Sequence, residues 1–454
     1  MLDQHPHSPA RRPAASRHWA YRLIALNMIV AALFFVRLGS HRLGFGGYRG
    51  DLDVYRLGVD SWLHNRGLYS ELPRTQHGGL LLFTYPPFAA VLMLPLAIAP
   101  LTTANLAITA ASMAALWWTI RRVFNLLDGG QNGTRGAVSV GRLRISFGEL
   151  VALPLALLLE PTRSDLCFGQ INLLLMFLVA FDCLGPLTVH RADRHRGWFV
   201  GMAAAVKLTP AIFLLFFLAI GDRRAARNMV ASFATMNLIA YLLAPSQTEL
   251  YWRHIVFQTG RIGEPIFAGN QSLLGLLARA GLTGPSLSLG WLMLSALAAL
   301  LAWRGMRRIL RSLPPDRARV FALLVNALAG LLISPISWTH HWVWGVVGLL
   351  ALTFDAANHG RPRHLVVAVS GLLLLAVAPP WWLPNHEGRE LTWNLSQQVL
   401  GSSYVLGAFA ALLTLVLPRS KREGPAYCAS WRTRRRTFAT VRVSRPTSGD
   451  PPAS

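Results

Sequence analysis

Charge is what this sequence has least of. Only 14% of its 454 residues are Asp, Glu, Lys or Arg, against about 25% in a typical soluble domain. With 53% apolar residues, that shortage excludes a disordered chain and argues against a soluble enzyme. Cysteine is nearly absent. Cys167 and Cys183 fall in or beside apolar runs and Cys428 lies in a basic tail. Neither a disulfide framework nor a metal-ligand spacing is visible. Among the charged residues acids are the minority, at 20 against 44 Lys plus Arg, so the formal net charge is +24. A value this basic commonly marks a nucleic-acid binder, which concentrates its charge on one hydrated face. Here the arginines are separated by long apolar runs, near or above the roughly 18 residues that cross a bilayer.

Ten ordinary spans are expected, at 19–38, 102–120, 147–160, 166–184, 226–244, 286–303, 319–336, 342–357, 364–380 and 404–418. The first is too long for a signal-peptide core and lacks a small-residue cleavage site, so a retained helix is expected. Two further apolar stretches fit poorly as single crossings. One, 83–100, opens with Tyr85-Pro86-Pro87; the other, 197–220, is interrupted by Lys207-Leu208-Thr209-Pro210.

Basic residues collect in cytoplasmic loops. With the N-terminus inside, the cytoplasmic segments hold 32 basic and 10 acidic residues, and the opposite side holds 12 and 10. The excess charge therefore reads as a topological label facing anionic headgroups, with no need for nucleic acid. A full crossing by 83–100 would move every basic cluster from 121 to 227 outside, so this stretch is expected to be re-entrant or interfacial. Basic flanks at Arg196 and Arg223 make 197–220 enter and return, with Lys207 near the turn. Broken helices at membrane depth occur where they line a protein cavity, so both anomalies point to one buried site. The expected architecture is an all-α polytopic membrane protein of about ten transmembrane helices plus two re-entrant or broken segments, with both termini cytoplasmic. Its parts are a basic arm (1–18), a membrane domain (19–418) with a first extracytoplasmic loop and interfacial helix at 39–101, and a basic tail (419–454).

The candidate chemistry lies on the nearly neutral side. Asp51, just beyond the first span, is placed to act as a general base on a hydroxyl; capping of the following helix is the structural alternative. Asp53 offers a second acid, on the other face of an extended loop. Gln170 and Asn172 can hydrogen-bond a sugar, or join helices. Lys207, the only lysine before the tail, is costly in an apolar segment and hence a functional candidate. Arg261 and the Asn270-Gln271-Ser272 run could bind a phosphate or sugar, or cap a loop helix. The run Ser334-Pro-Ile-Ser-Trp-Thr-His-His-Trp342 carries adjacent histidines, which lack the i, i+4 spacing of a zinc pair. Beside nearby tryptophans they suit an anion or glycan; an aromatic belt accounts well for Trp342 and Trp344 but poorly for His340 and His341.

Taken in order, Asp51-Leu-Asp-Val-Tyr55, Tyr85-Pro-Pro87, Gly169-Gln-Ile-Asn172, Lys207-Leu-Thr-Pro210, Asn270-Gln-Ser272 and Ser334 to His341 resemble glycosyltransferase family 87 from about residue 19 to residue 418. These are the actinobacterial polyprenyl-phosphate-mannose-dependent α-(1→2) mannosyltransferases of the glycosyltransferase C superfamily. The resemblance implies a glycosyltransferase C-like bundle in the plasma membrane, working at its outer face. It implies inverting transfer of mannose from a polyprenyl phosphate to a phosphatidylinositol mannoside, lipomannan or lipoarabinomannan, without nucleotide sugar; no cofactor is expected, and the acids form no cluster resembling a divalent-metal site. It places the catalytic aspartate on Asp51, with Asp53 at the motif's variable position. Lys207, Arg261, His340 and His341 become candidates for the donor phosphate or sugar, and Tyr55, Tyr85, Gln170, Asn172, Asn270, Gln271 and Trp338 candidates to line the pocket. Transfer of another polyprenyl-linked sugar, such as arabinofuranose, is the enzymatic alternative. A lipid-linked sugar transporter or flippase would show internal repeats and ionisable residues at mid-membrane, whereas the polar residues here cluster at one face.

Overall fold

The computed structural model describes residues 49–128, 138–140, 143–185 and 192–416. Proline sets many of the helix starts. The first helical turn has N–H groups with no intrahelical partner, so proline's missing donor costs nothing there. Pro87, Pro245, Pro315 and Pro362 each occupy the first position of a helix, and Pro161 and Pro285 the second. Side-chain caps start others: Ser146 accepts from Glu149 N, Asp222 from Ala225 N and Ser272 from Gly275 N.

The helices are α1 (Gly50–Leu63), α2 (Pro87–Ile98), α3 (Leu101–Leu127), α4 (Phe147–Leu158), α5 (Glu160–Phe168), α6 (Asn172–Leu184), α7 (Trp198–Val206), α8 (Leu214–Ile220), α9 (Arg223–Leu243) and α10 (Pro245–Arg253). They continue with α11 (Leu273–Arg279), α12 (Gly284–Ser312), α13 (Pro315–Ile333), α14 (Val343–Asn358), α15 (Pro362–Val377), α16 (Leu395–Gly401) and α17 (Ser403–Val416). An all-α chain needs one correction, a small antiparallel hairpin that pairs Val138–Val140 with Leu143–Ile145. The β-branched Val138, Val140 and Ile145 alternate with polar Ser139 and Arg144, a period-2 pattern that suits strands. The first compact unit extends to Leu415; a second begins at Val416, and its other residues lie outside the described set, as do the expected basic arm and first span.

Within the described residues, each expected span from 102–120 onward falls mostly on helix, but not always on one helix. The 166–184 segment overlaps α5 and α6, which are bent by 113° at Gly169–Ile171. Among the described residues two helical runs, Gly284–Ser312 and His364–Trp382, are long and apolar enough to cross a membrane; the bent α5–α6 pair makes a third if taken as one span. Other helices are shorter or carry polar residues inward. The 27-residue α3, for example, buries Asn105, Thr109, Ser112 and Thr119. An inward polar face lowers mean hydropathy without exposing polar groups to the surroundings.

Both anomalous stretches are irregular. The 12-residue α2 rises only about 18 Å, short of the roughly 30 Å hydrocarbon core. The 197–220 segment breaks after Val206: Lys207 is extended, a 3₁₀ turn runs Thr209–Phe213, and α8 follows. Pro210 cannot donate to the α7 ladder, so the helix ends ahead of it. Small residues let α7 press against α9. A Cβ added at Gly201 would lie 2.3 Å from the Met229 carbonyl oxygen, and Ala203, Ala204 and Ala205 are fully buried. The broken segment is thus held by backbone-to-backbone contact, which fixes where Lys207 emerges.

Candidate functional site

Three segments meet at Lys207: the start of α1, the α5–α6 bend, and the Ser334–Trp342 run. At the bend Gly169 adopts φ +69°, and a Cβ there would lie 3.0 Å from the Leu52 Cβ. Glycine therefore both makes the turn and lets the bend sit against α1. Arg49 strengthens this contact by donating to the Leu166 carbonyl.

The bend presents Gln170 and Asn172 in fixed orientations. Gln170 Nε2 donates to the Asp51 carboxylate at 2.6 Å. Its Oε1 lies 3.0 Å from each of the Tyr55 and Tyr85 hydroxyls, which are 3.0 Å from one another. Each phenol has one proton, so at most two of these three contacts are donated at once. Because a carboxylate only accepts, the Gln170 amide has only one workable orientation. Asn172 Nδ2 donates to Asp165 Oδ1 at 2.8 Å, and its Oδ1 accepts from Lys207 Nζ at 2.9 Å. Lys207 Nζ also lies 3.1 Å from His341 Nε2 and 5.3 Å from the centre of the Tyr85 ring. An ammonium only donates, so His341 Nε2 is the acceptor and its ring is neutral.

One connected set of side chains thus links Asp51 to Lys207 and His341, and it contains Tyr55, Tyr85, Gln170 and Asn172. Burial pushes the Asp51 carboxyl up to about 6, opposed by the Gln170 hydrogen bond and the Lys207 charge. The group remains mostly ionised near neutrality, within the useful range for a general base. His340 packs edge-on against Phe168 and His341, and its Nε2 is buried without a hydrogen bond among the described residues.

Other expected residues sit outside this set. Asp53 is buried, and its Oδ2 accepts from the Gln76 backbone N–H at 3.0 Å, tying the 65–82 loop to α1. The extended loop expected around these acids is in fact the first turns of α1. Two positions along a helix turn a side chain by about 200°, so the two acids face apart even so. The N-cap of α1 is Arg49, which makes no side-chain capping bond, while the two acids bond to Gln170 and to the Gln76 N–H. Arg261 donates to the Tyr69 carbonyl at 2.7 Å, and Tyr69 donates to the Tyr85 carbonyl, one step from the network. Asn270 and Gln271 spend their amides on backbone. Asn270 reaches the Pro265 and Pro335 carbonyls and accepts from Ser337 N–H; Gln271 reaches the Ala268 and Gly401 carbonyls. Trp338 forms a backbone bridge with Asn270 and packs on Phe267. Together they join the 264–272 and 334–342 loops.

Two acids that did not stand out in the sequence are central here. Asp165 supports Asn172. Glu160 accepts from Thr339 Oγ1 at 2.7 Å, Ser164 Oγ at 2.7 Å and Trp381 Nε1 at 3.1 Å, which anchors the segment bearing the histidines. A weak signal existed: both acids stand in the short polar segment Glu160-Pro-Thr-Arg-Ser-Asp165 between two apolar runs, next to the Gly169–Asn172 motif.

The model of glycosyltransferase family 87 matches residues 83–335. The polyprenol-phosphate-mannose-dependent alpha-(1-2)-phosphatidylinositol mannoside mannosyltransferase of Mycolicibacterium smegmatis is 36% identical, over 93% of this chain and 95% of that protein. The polyprenol-phosphate-mannose-dependent alpha-(1-2)-phosphatidylinositol pentamannoside mannosyltransferase of Mycobacterium tuberculosis is 33% identical, over 82% of this chain and 83% of its own. The crystal structure of ArnT from Cupriavidus metallidurans bound to undecaprenyl phosphate superposes with a TM-score of 0.43 at 16% identity, covering 88% of this chain and 72% of that one. With a family model matched over more than half its length and relatives aligned along most of it, this protein is a glycosyltransferase and belongs to family 87.

Proposed function

We propose that this protein transfers mannose from a polyprenyl-phosphate donor to the 2-hydroxyl of a mannoside on a phosphatidylinositol-based glycolipid, with Asp51 as the single general base. The observation that carries this reading is the continuous hydrogen-bonded link from the Asp51 carboxylate through Gln170 and Asn172 to the Lys207 ammonium. A base for the incoming hydroxyl and a cation for the departing phosphate are held in one framework.

Asp51 takes the proton of the acceptor hydroxyl as its oxygen bonds to the anomeric carbon. The bond from that carbon to the phosphate oxygen breaks, and the polyprenyl phosphate leaves with the electron pair. The opposite-face attack inverts the anomeric centre. Phosphate is a good leaving group without protonation, so one carboxylate is enough, unlike the pair of a glycosidase. Lys207 has three N–H donors, two of which meet Asn172 and His341. The third is left for a phosphate oxygen, where it stabilises the charge that develops on departure. His340 Nε2 offers a further contact, and Arg261 lies at the edge of the site. The same reading places a glycosyltransferase C-like bundle of about ten spans in the plasma membrane with this site on the outer face. Donor and acceptor are both membrane lipids, and no cofactor is needed.

The test is transfer by purified protein from polyprenyl-phosphate mannose to a defined phosphatidylinositol mannoside. Asp51→Asn should lower kcat by at least a hundredfold, and Asp53→Asn should retain substantial activity. The reverse ranking would move the base to Asp53, and two active variants would end the single-base mechanism.

A further inference from the structure

Asp165 is fully buried, with no exposed surface. Its Oδ1 accepts from Asn172 Nδ2 at 2.8 Å, while its Oδ2 makes no hydrogen bond among the described residues. The Leu173 backbone N–H and the Lys207 charge also favour the buried carboxylate, but its desolvation cost is met by one side-chain hydrogen-bond partner, the Asn172 amide. The residue beyond that partner gives the placement a purpose. Asn172 carries an acceptor oxygen and a donor nitrogen of nearly the same shape, and only its surroundings decide which faces where. Asp165 can only accept and Lys207 can only donate, so between them the amide is locked with nitrogen toward Asp165 and oxygen toward Lys207. Asn172 Nδ2 also points to Gln170 Oε1, at 3.5 Å, in the same orientation.

We propose that Asp165 is a positioning residue for the donor side of the site, acting on the Lys207 ammonium through the locked amide of Asn172. With the amide reversed, two donor groups would face one another and Lys207 would lose one of the acceptors that hold it. Asp165 and Asn172 lie seven residues apart across the α5–α6 bend, so the bend sets the distance between the carboxylate and the amide it orients. The presence of a carboxylate at the start of α6 also favours that helix by its dipole. That local effect predicts lower stability on neutralisation and no selective change in donor binding.

The inference rests on the reading that Lys207 meets the donor phosphate, and the experiment separates the two. Wild type, Asp165→Asn, Asn172→Leu and the double variant are compared in detergent for thermal unfolding, for donor and acceptor KM, and for binding of polyprenyl phosphate alone. Asp165→Asn should raise the donor KM and the polyprenyl-phosphate Kd by about tenfold, because a neutral amide can present a donor as well as an acceptor to Asn172 and turns a charged hydrogen bond into a neutral one, with the acceptor KM unchanged. Asn172→Leu should raise both at least as far, and adding Asp165→Asn to it should raise them by clearly less than Asp165→Asn does alone, because what remains is only the direct attraction between the Asp165 and Lys207 charges. Additive effects in the double variant, or a donor KM within twofold of wild type in Asp165→Asn, would overturn the inference. If Asp165→Asn does not fold, Asn172→Leu decides: an unchanged donor KM overturns the inference and a raised one supports it. A wild-type protein that neither transfers mannose nor binds polyprenyl phosphate would instead refute the underlying reading of Lys207.

Discussion

Gln170 is the side chain whose removal tests the site most directly. Replacing it with Leu keeps most of the volume and deletes both polar ends. The bond lost from Nε2 to the Asp51 carboxylate, 2.6 Å long, involves a charged acceptor and contributes about 1.5–3 kcal/mol. On the other side, Tyr55 and Tyr85 stand 3.0 Å apart, so they can still bond to each other, which limits the added loss to about 1 kcal/mol. If half or more of this total is orientation of the base, transfer should fall ten- to a hundredfold, at about 1.4 kcal/mol per decade. The pH dependence gives a sharper signature. The Gln170 bond holds the Asp51 carboxyl below where burial alone would put it, at about 6, so its loss raises that pKa. The base works when deprotonated; the acid limb of kcat/KM should therefore move to higher pH, making the defect largest in acid and smallest in alkaline buffer. Mannose transfer from labelled donor, measured from pH 5 to 9 for both proteins, reads this out. An acid limb that stays in place with a rate within twofold of wild type would refute the claim that Gln170 orients Asp51.

Two further outcomes follow from the framework around the site. Glu160→Ala strips the shared acceptor from Thr339, Ser164 and Trp381; with buried donors left unpaired the cost should be about 3–5 kcal/mol, seen as a lowered unfolding temperature in detergent. Gly169→Val forces a β-branched residue into φ +69° and sets its Cβ 3.0 Å from Leu52 Cβ. It should lose most transfer activity, whereas Gly78→Val, also at positive φ but with no heavy atom within 4 Å of the added Cβ, should lose far less in the same assay.

Local chemistry was readable wherever it is decided over a few residues. Proline at Pro210 and the charge of Lys207 announced the break in 197–220, because a missing donor and a buried cation interrupt a helix whatever surrounds it. Pro86 and Pro87 likewise marked the start of the short α2. The α5–α6 bend was harder. An apolar run at 166–184 looks the same on either side of Gly169, and hydropathy averaged over a window cannot register a single left-handed residue. The acids at 160 and 165 sat in the short polar segment just ahead of that run, and only the bend brings them against Thr339 and Asn172. Asn270, Gln271 and Trp338 carried the right chemistry for a ligand, but their amides and ring join two loops, a choice that depends on partners 65 to 130 residues away.

The sequence by itself determined the class of molecule and most of the inventory of the site, Glu160 and Asp165 excepted. Scarce charge and long apolar runs, the one lysine ahead of the tail, and the ordered motifs from Asp51 to His341 needed no coordinates, since each is a property of composition or near-neighbour spacing. Tertiary structure alone decided which of those residues touch. Asp51 meets Gln170 across 119 positions and Lys207 meets His341 across 134, while Asp53, two residues from Asp51, is turned away into the 65–82 loop. Hydrogen bonds act over about 3 Å, so such partnerships exist only after the bend at Gly169 and the close packing of α7 on α9 have brought the segments together.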